Sequence, residues 1–235
     1  MFQPASSMSL AAFLAICAAV VIAFLAAVWY SARREGATKW LRTAAAAFGL
    51  MAWLGIVSSL VASGWLAADT GRIPLFVAAT MLVVVAAGVS RVGRWLASAT
   101  IPALVLFQAF RLPLELVLHA WVRQGVIPET MTWTGANWDI VAGSLAILFA
   151  PLSRGGRSAA WIFNAIGFGL LLNVMRVAIL SSPLPFAWPV EPKLALILYF
   201  PYVLIVPVCV GGALLGHIAL TRALLAARPA DSSSG

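Results

Sequence analysis

Seven apolar runs, separated by short polar or proline-rich connections, decide what this chain can fold into. About 20 apolar residues, wound into a helix rising ~1.5 Å per residue, cross the ~30 Å hydrocarbon layer of a bilayer. The runs lie at about residues 8–30, 43–66, 73–90, 95–121, 138–152, 159–181 and 194–219, with a tail at 220–235. The expected fold is therefore all-α, a single integral membrane domain over residues 1–235 built as a polytopic transmembrane helix bundle of about seven spans. The run at 138–152 is short enough to be re-entrant. Composition leads to the same class: 63% of residues are hydrophobic and 9% charged, with a mean hydropathy of +1.02. A soluble domain would need more charge to cover its surface.

Direction follows from the basic residues. Arg33, Arg34, Lys39, Arg42, Arg91, Arg94, Arg154, Arg157, Arg222 and Arg228 fall on alternate connections and the tail. The intervening connections hold only Arg72, Arg123 and Lys193, beside Asp69, Glu129, Asp139 and Glu191. The positive-inside bias then predicts an outside N-terminus and a cytoplasmic C-terminus, in the cytoplasmic (inner) membrane of a bacterium. No Lys or Arg precedes Arg33, so the first run lacks the basic flank of a cleaved signal peptide and reads as a retained span. Topology thus accounts for most of the +8 net charge. Nucleic acid is not needed as a partner, whereas anionic membrane lipid is the natural one. Trp40, Trp65, Trp95, Trp121, Trp133, Trp138 and Trp188 sit near proposed span ends, as interfacial anchors do.

The stretch QAFRLPLELVLH at 108–119 breaks the apolar pattern. Gln108, Arg111, Glu115 and His119 are spaced to share one helix face, and Pro113 removes a backbone donor, which predicts a bend around 109–113. Counted from Trp95, Arg111 stands at ~24 Å, Glu115 at ~30 Å and His119 at ~36 Å. In the sixth run, counted from Ala159, Asn173 stands at ~21 Å and Arg176 at ~26 Å. A lipid-facing arginine at mid-span costs ~2.5–3.5 kcal/mol on insertion scales. The expectation is that these two faces turn inward and meet, either bracing the bundle through Glu115 and Asp139 or leaving donors for a small anionic ligand.

The connection PETMTWTGANWD is long enough to fold back over the helix ends, where Asn137 or Asp139 would cap the short fifth helix. Asp139, His119 and the Tyr199 hydroxyl are further candidates for the ligand cluster. Cys17 and Cys209 read as small buried apolar residues. Glu115 with His119 makes an incomplete zinc set, and His217 lies at the opposite end, so no metal centre is expected. No haem or nucleotide motif is present, and the last run lacks a central lysine for a retinal linkage. The cofactor is thus undefined. The leading functional reading is an outward-leaning polar pocket of Gln108, Arg111, Glu115, Asn173 and Arg176 that binds or transfers a small polar or anionic molecule or lipid. One alternative is an intramembrane enzyme using Glu115 and His119 with Arg111 and Arg176. Another is an assembly subunit whose partner is a second membrane protein.

Overall fold

The structure is a computed structural model describing residues 2–34 and 38–226. Every element among the described residues is helical: α1 (Ser7–Arg34), α2 (Lys39–Ala62), α3 (Trp65–Ala68), α4 (Ile73–Val89), α5 (Arg91–Ala97), α6 (Ile101–Phe107), α7 (Arg111–Arg123), α8 (Asp139–Leu152), α9 (Arg157–Ser181) and α10 (Gly211–Ala226). With their adjoining 3₁₀ and π turns, these give six membrane-length apolar stretches: Ser7–Arg34, Lys39–Ala62, Thr70–Val89, Ile101–Arg123, Arg157–Ser181 and Tyr202–Ala226. The expected fifth span is only the 14-residue α8, too short to join them. The chain is an integral membrane protein of bundled helices.

Three boundaries differ from the sequence reading, each for a backbone reason. The helix expected to begin at Trp95 is two helices, because α5 ends at Ala97 and a new helix starts at Ile101 with Pro102 in its first turn. A 3₁₀ turn at Gln108–Phe110 then separates α6 from α7, since Pro113 has no N–H to offer the Ala109 carbonyl. The last span starts at Tyr202 instead of 194 and runs to Ala226, seven residues past its expected end. Between Pro201 and Gly211 it winds as a 3₁₀ turn and a π turn. Residues 220–226, expected in the tail, are therefore helical, while 227–235 lie outside the described residues.

The helix ends sort by charge. Arg222 Nη1 donates to the carbonyls of Gly88 (2.6 Å) and Ser90 (3.0 Å), Arg157 donates to Leu224 O, and Arg34 donates to Ser98 O. These bonds gather the ends of α1, α4, α5, α9 and α10 with Arg91 and Arg94, and no described Asp or Glu is found there. At the far end Ser6 N donates to Gln124 Oε1 and Ala5 N to the Tyr202 hydroxyl. Trp121, expected as an interfacial anchor, is instead fully buried there, its indole N–H bonded to Ser9 Oγ. Cys17 and Cys209 are buried with sulfurs 3.8 Å apart.

Helix α8 sets the interior. Its buried face is Asp139, Ala142, Gly143, Ala146 and Ala150, small enough for α6, α7 and α9 to close around it. At Gly143 the fit is to backbone: a Cβ there would run into Leu112 N and lie 2.8 Å from Leu112 Cα. Gly143 thus stands level with Leu112, and Asp139, one turn back, stands ~6 Å above it, level with Glu115. The connection 124–138 consequently descends inside the bundle to reach α8, burying Thr132 and Asn137 completely. Gly143→Val should destabilise the protein by about 1–3 kcal/mol. Gly49→Val, where nothing lies within 4 Å, should leave the thermal unfolding midpoint in detergent nearly unchanged.

Candidate functional site

At the junction of α6 and α7 the chain places Arg111, 1% exposed, against the start of α8. Its Nε donates to Asp139 Oδ2 at 2.9 Å and its Nη2 to Asp139 Oδ1, a two-pronged ion pair. Nη1 donates to Gly167 O at 3.0 Å and faces His217 Nε2 at 3.4 Å. The His217 ring is fixed from its other side, where Nδ1 donates to Asn164 Oδ1 at 2.8 Å. That bond leaves Nε2 as the acceptor toward Arg111. Asn164 Nδ2 donates to Thr221 Oγ1, which donates to His217 O. Gly167 allows the approach, because a Cβ there would lie 2.8 Å from His217 Cε1.

Above the ion pair lies Glu115, also 1% exposed. Its Oε2 accepts from Asn137 Nδ2 at 3.1 Å, the Trp133 backbone N–H also approaches the carboxyl, and no side-chain donor reaches Oε1 among the described residues. Asn137 also donates to Met131 O and, through Oδ1, accepts from Asp139 N, the first amide of α8, although the N-cap position itself is Trp138 rather than the expected Asn137 or Asp139. Glu115 is near enough to Asp139 and Arg111 to feel both charges. Gln108, fully buried, donates to Ala213 O and leaves its own Oε1 without a partner.

The other expected members lie elsewhere. Arg176 is exposed, donates to Asn173 Oδ1 at 2.8 Å and rests 5.7 Å from the Trp188 ring centre. Asn173 Nδ2 donates to Ala136 O, pinning the descending connection. With Arg111 and Gly167 ten residues from the starts of their spans, both stand at ~15 Å, and Arg176 is ~13.5 Å further out. The expected meeting of Arg111 with Arg176 at one level does not occur. His119 stacks on Trp133 with ring centres 4.3 Å apart, and its Nδ1 is buried without a partner. Tyr199 stacks on Phe2, 4.0 Å away, rather than offering its hydroxyl to the cluster.

Sequence reasoning missed His217, Asn164 and Thr221. With the last span drawn to 219, His217 fell in its final turn; with the span running to Ala226, it sits nine residues inside, at ~13.5 Å. The available signal was a polar i, i+4 pair, His217 and Thr221, on a helix apolar but for Arg222. Among the described residues no three His, Cys, Asp or Glu side chains are grouped as a metal site.

A helical membrane protein with an ion pair sealed in its interior is the class this geometry defines. Residues 70–225 match the family described as Domain of unknown function (DUF8737), and the chain belongs to that family. No curated protein and no solved structure matches it.

Removing one partner of a buried ion pair strands the other, so Asp139→Leu should cost about 3–5 kcal/mol. Combining it with Arg111→Met should restore much of that loss. Exposed Arg176→Gln should change stability by less than about 1 kcal/mol. Thermal unfolding of the parent and the three variants in one detergent measures all three differences.

Proposed function

We propose that the protein binds and hands on a small cationic or hydrogen-bond-donating molecule at Glu115, in place of the polar or anionic molecule expected from the sequence. One observation carries the proposal: Glu115 is a second buried carboxyl beside Asp139, Arg111 is committed to Asp139, and Asn137 is the side-chain donor that reaches Glu115 among the described residues. With both carboxyls ionised the site would hold two anions and one cation, and a cation, a donor or a proton would balance it, because buried charge demands a partner. Gln108 Oε1, a second buried acceptor without a donor, adds to the same need. An anion is a poorer fit, because Nε, Nη1 and Nη2 of Arg111 are all engaged and Arg176 faces a different surface.

The polar file below Glu115 holds the site in place and does not relay protons. Guanidinium and carboxamide groups do not change protonation state at neutral pH, so neither is a relay. The ligand would enter past His119 and Trp133, where the descending connection covers Glu115. With the basic end in the cytoplasm, as the positive-inside bias requires, this entrance faces outward and the N-terminus lies outside.

Glu115→Gln removes the missing charge while keeping the shape. The variant without ligand should melt higher than the parent. Methylammonium chloride, compared with sodium chloride at equal ionic strength, should raise the melting temperature of the parent alone, since a ligand at a hundred times its Kd stabilises by about 2.7 kcal/mol. A parent that ignores methylammonium, together with a Glu115→Gln protein less stable than the parent, would contradict the reading.

A further inference from the structure

A second feature lies toward the basic end, apart from Glu115. A cleft of about 530 Å³ opens between the end of α4 and the facing sides of α9 and α10. Val89, Trp161, Ala165, Phe168 and Ile218 make apolar walls, Asn164, His217 and Thr221 form the polar part of the lining, and Arg222 stands at the rim of the same lining. Trp161, Ala165 and Phe168 are exposed, so the cleft opens sideways, where a membrane protein meets acyl chains. Its size falls within the ~300–1,000 Å³ of small-molecule sites. Arg222 uses Nη1 to hold the Gly88 and Ser90 carbonyls. Its Nε and Nη2 make no hydrogen bond among the described residues, and no described carboxylate lies at this end of the bundle.

We infer that this cleft is a specific site for an anionic phospholipid, with one acyl chain along Trp161, Ala165 and Phe168 and the phosphate on Arg222. Charge complementarity selects the occupant. Arg91, Arg94, Arg154 and Arg157 lie at the same end, and a basic end of a membrane bundle attracts anionic headgroups from the adjoining leaflet. A guanidinium already fixed by two carbonyls keeps its remaining fork aimed, and a fork of N–H donors suits phosphate oxygens. The apolar walls distinguish this site from general surface attraction, which needs no cleft.

The test uses full-length protein, delipidated in detergent and offered phosphatidylglycerol and phosphatidylcholine in equal amounts, with retained lipid counted by native mass spectrometry. The parent should retain phosphatidylglycerol in at least fivefold excess. Arg222→Gln should abolish that preference through the phosphate, and Ala165→Trp should lower retention at least fivefold by filling the cleft without touching Arg222. Arg33→Gln, at the same end but outside the cleft, should behave as the parent does. If loss of the α4 contacts unfolds Arg222→Gln, as circular dichroism would show, Ala165→Trp decides. A parent with no preference, equal loss in Arg33→Gln, or full retention in a folded Ala165→Trp overturns the proposal. So does displacement of the lipid by glycerol phosphate at equal concentration, because the chain would then contribute nothing.

Discussion

The ion pair between Arg111 and Asp139 constrains the interior of this bundle more than any other contact. An arginine in the middle of a membrane protein needs a counter-charge and acceptors for its remaining donors. Asp139 supplies the charge, and Gly167 O with His217 Nε2 supplies the acceptors. Each partner comes from a different helix, so α7, α8, α9 and α10 must converge on one point for any of them to be satisfied. Hydrophobic matching cannot impose such registration, because in lipid one apolar helix face is nearly as good as another. The polar groups therefore fix how far each helix slides and turns relative to its neighbours.

The same requirement explains the connection 124–138. To bring Asp139 down to Arg111, α8 must begin well inside the bundle, which forces irregular backbone to descend with it. Such backbone survives at depth only when protein covers it and its polar groups are bonded. Asn137 binds Met131 O and Asp139 N, Asn173 binds Ala136 O, and Thr130 meets Ser181 across 2.7 Å. Asn173, which looked like a ligand residue, serves this connection, and it holds Arg176 by its other end. A polar side chain within a span can thus exist for the backbone beside it.

The class of fold was legible because apolar length is a direct consequence of bilayer thickness; α1 occupies almost the segment drawn from composition. Residues of the inner site were legible where they shared one helix: Gln108, Arg111 and Glu115 are all buried, as their spacing and the cost of charge in lipid implied. What failed was depth. Pro102 and Pro201 moved the starts of two spans by six and eight residues, and the last span runs seven residues past its expected end; at ~1.5 Å per residue these are ~9–12 Å along the bundle. Arg111 and His217 accordingly sat at wrong levels in the sequence reading: bracing of Arg111 by Asp139 was foreseen, whereas its contact with His217 was missed and Arg176 was wrongly set beside it. Hydropathy scarcely registers where a proline restarts a helix, and long-range partners follow only once those starts are right.

Depth also separates the two binding chemistries proposed for the molecule. At Glu115 the unmet groups are oxygens, so only a donor or a cation completes the site. At Arg222 the unmet groups are N–H donors, so only an acceptor or an anion does. A bonded polar file of Asn137, Asp139, Arg111 and His217 joins them, and His217 with Asn164 and Thr221 reaches the cleft lining. A single small ion satisfying both is therefore excluded on charge. Occupancy of the lateral cleft would instead reach the inner site mechanically, because the cleft wall and the acceptors of Arg111 are carried on the same two helices, α9 and α10.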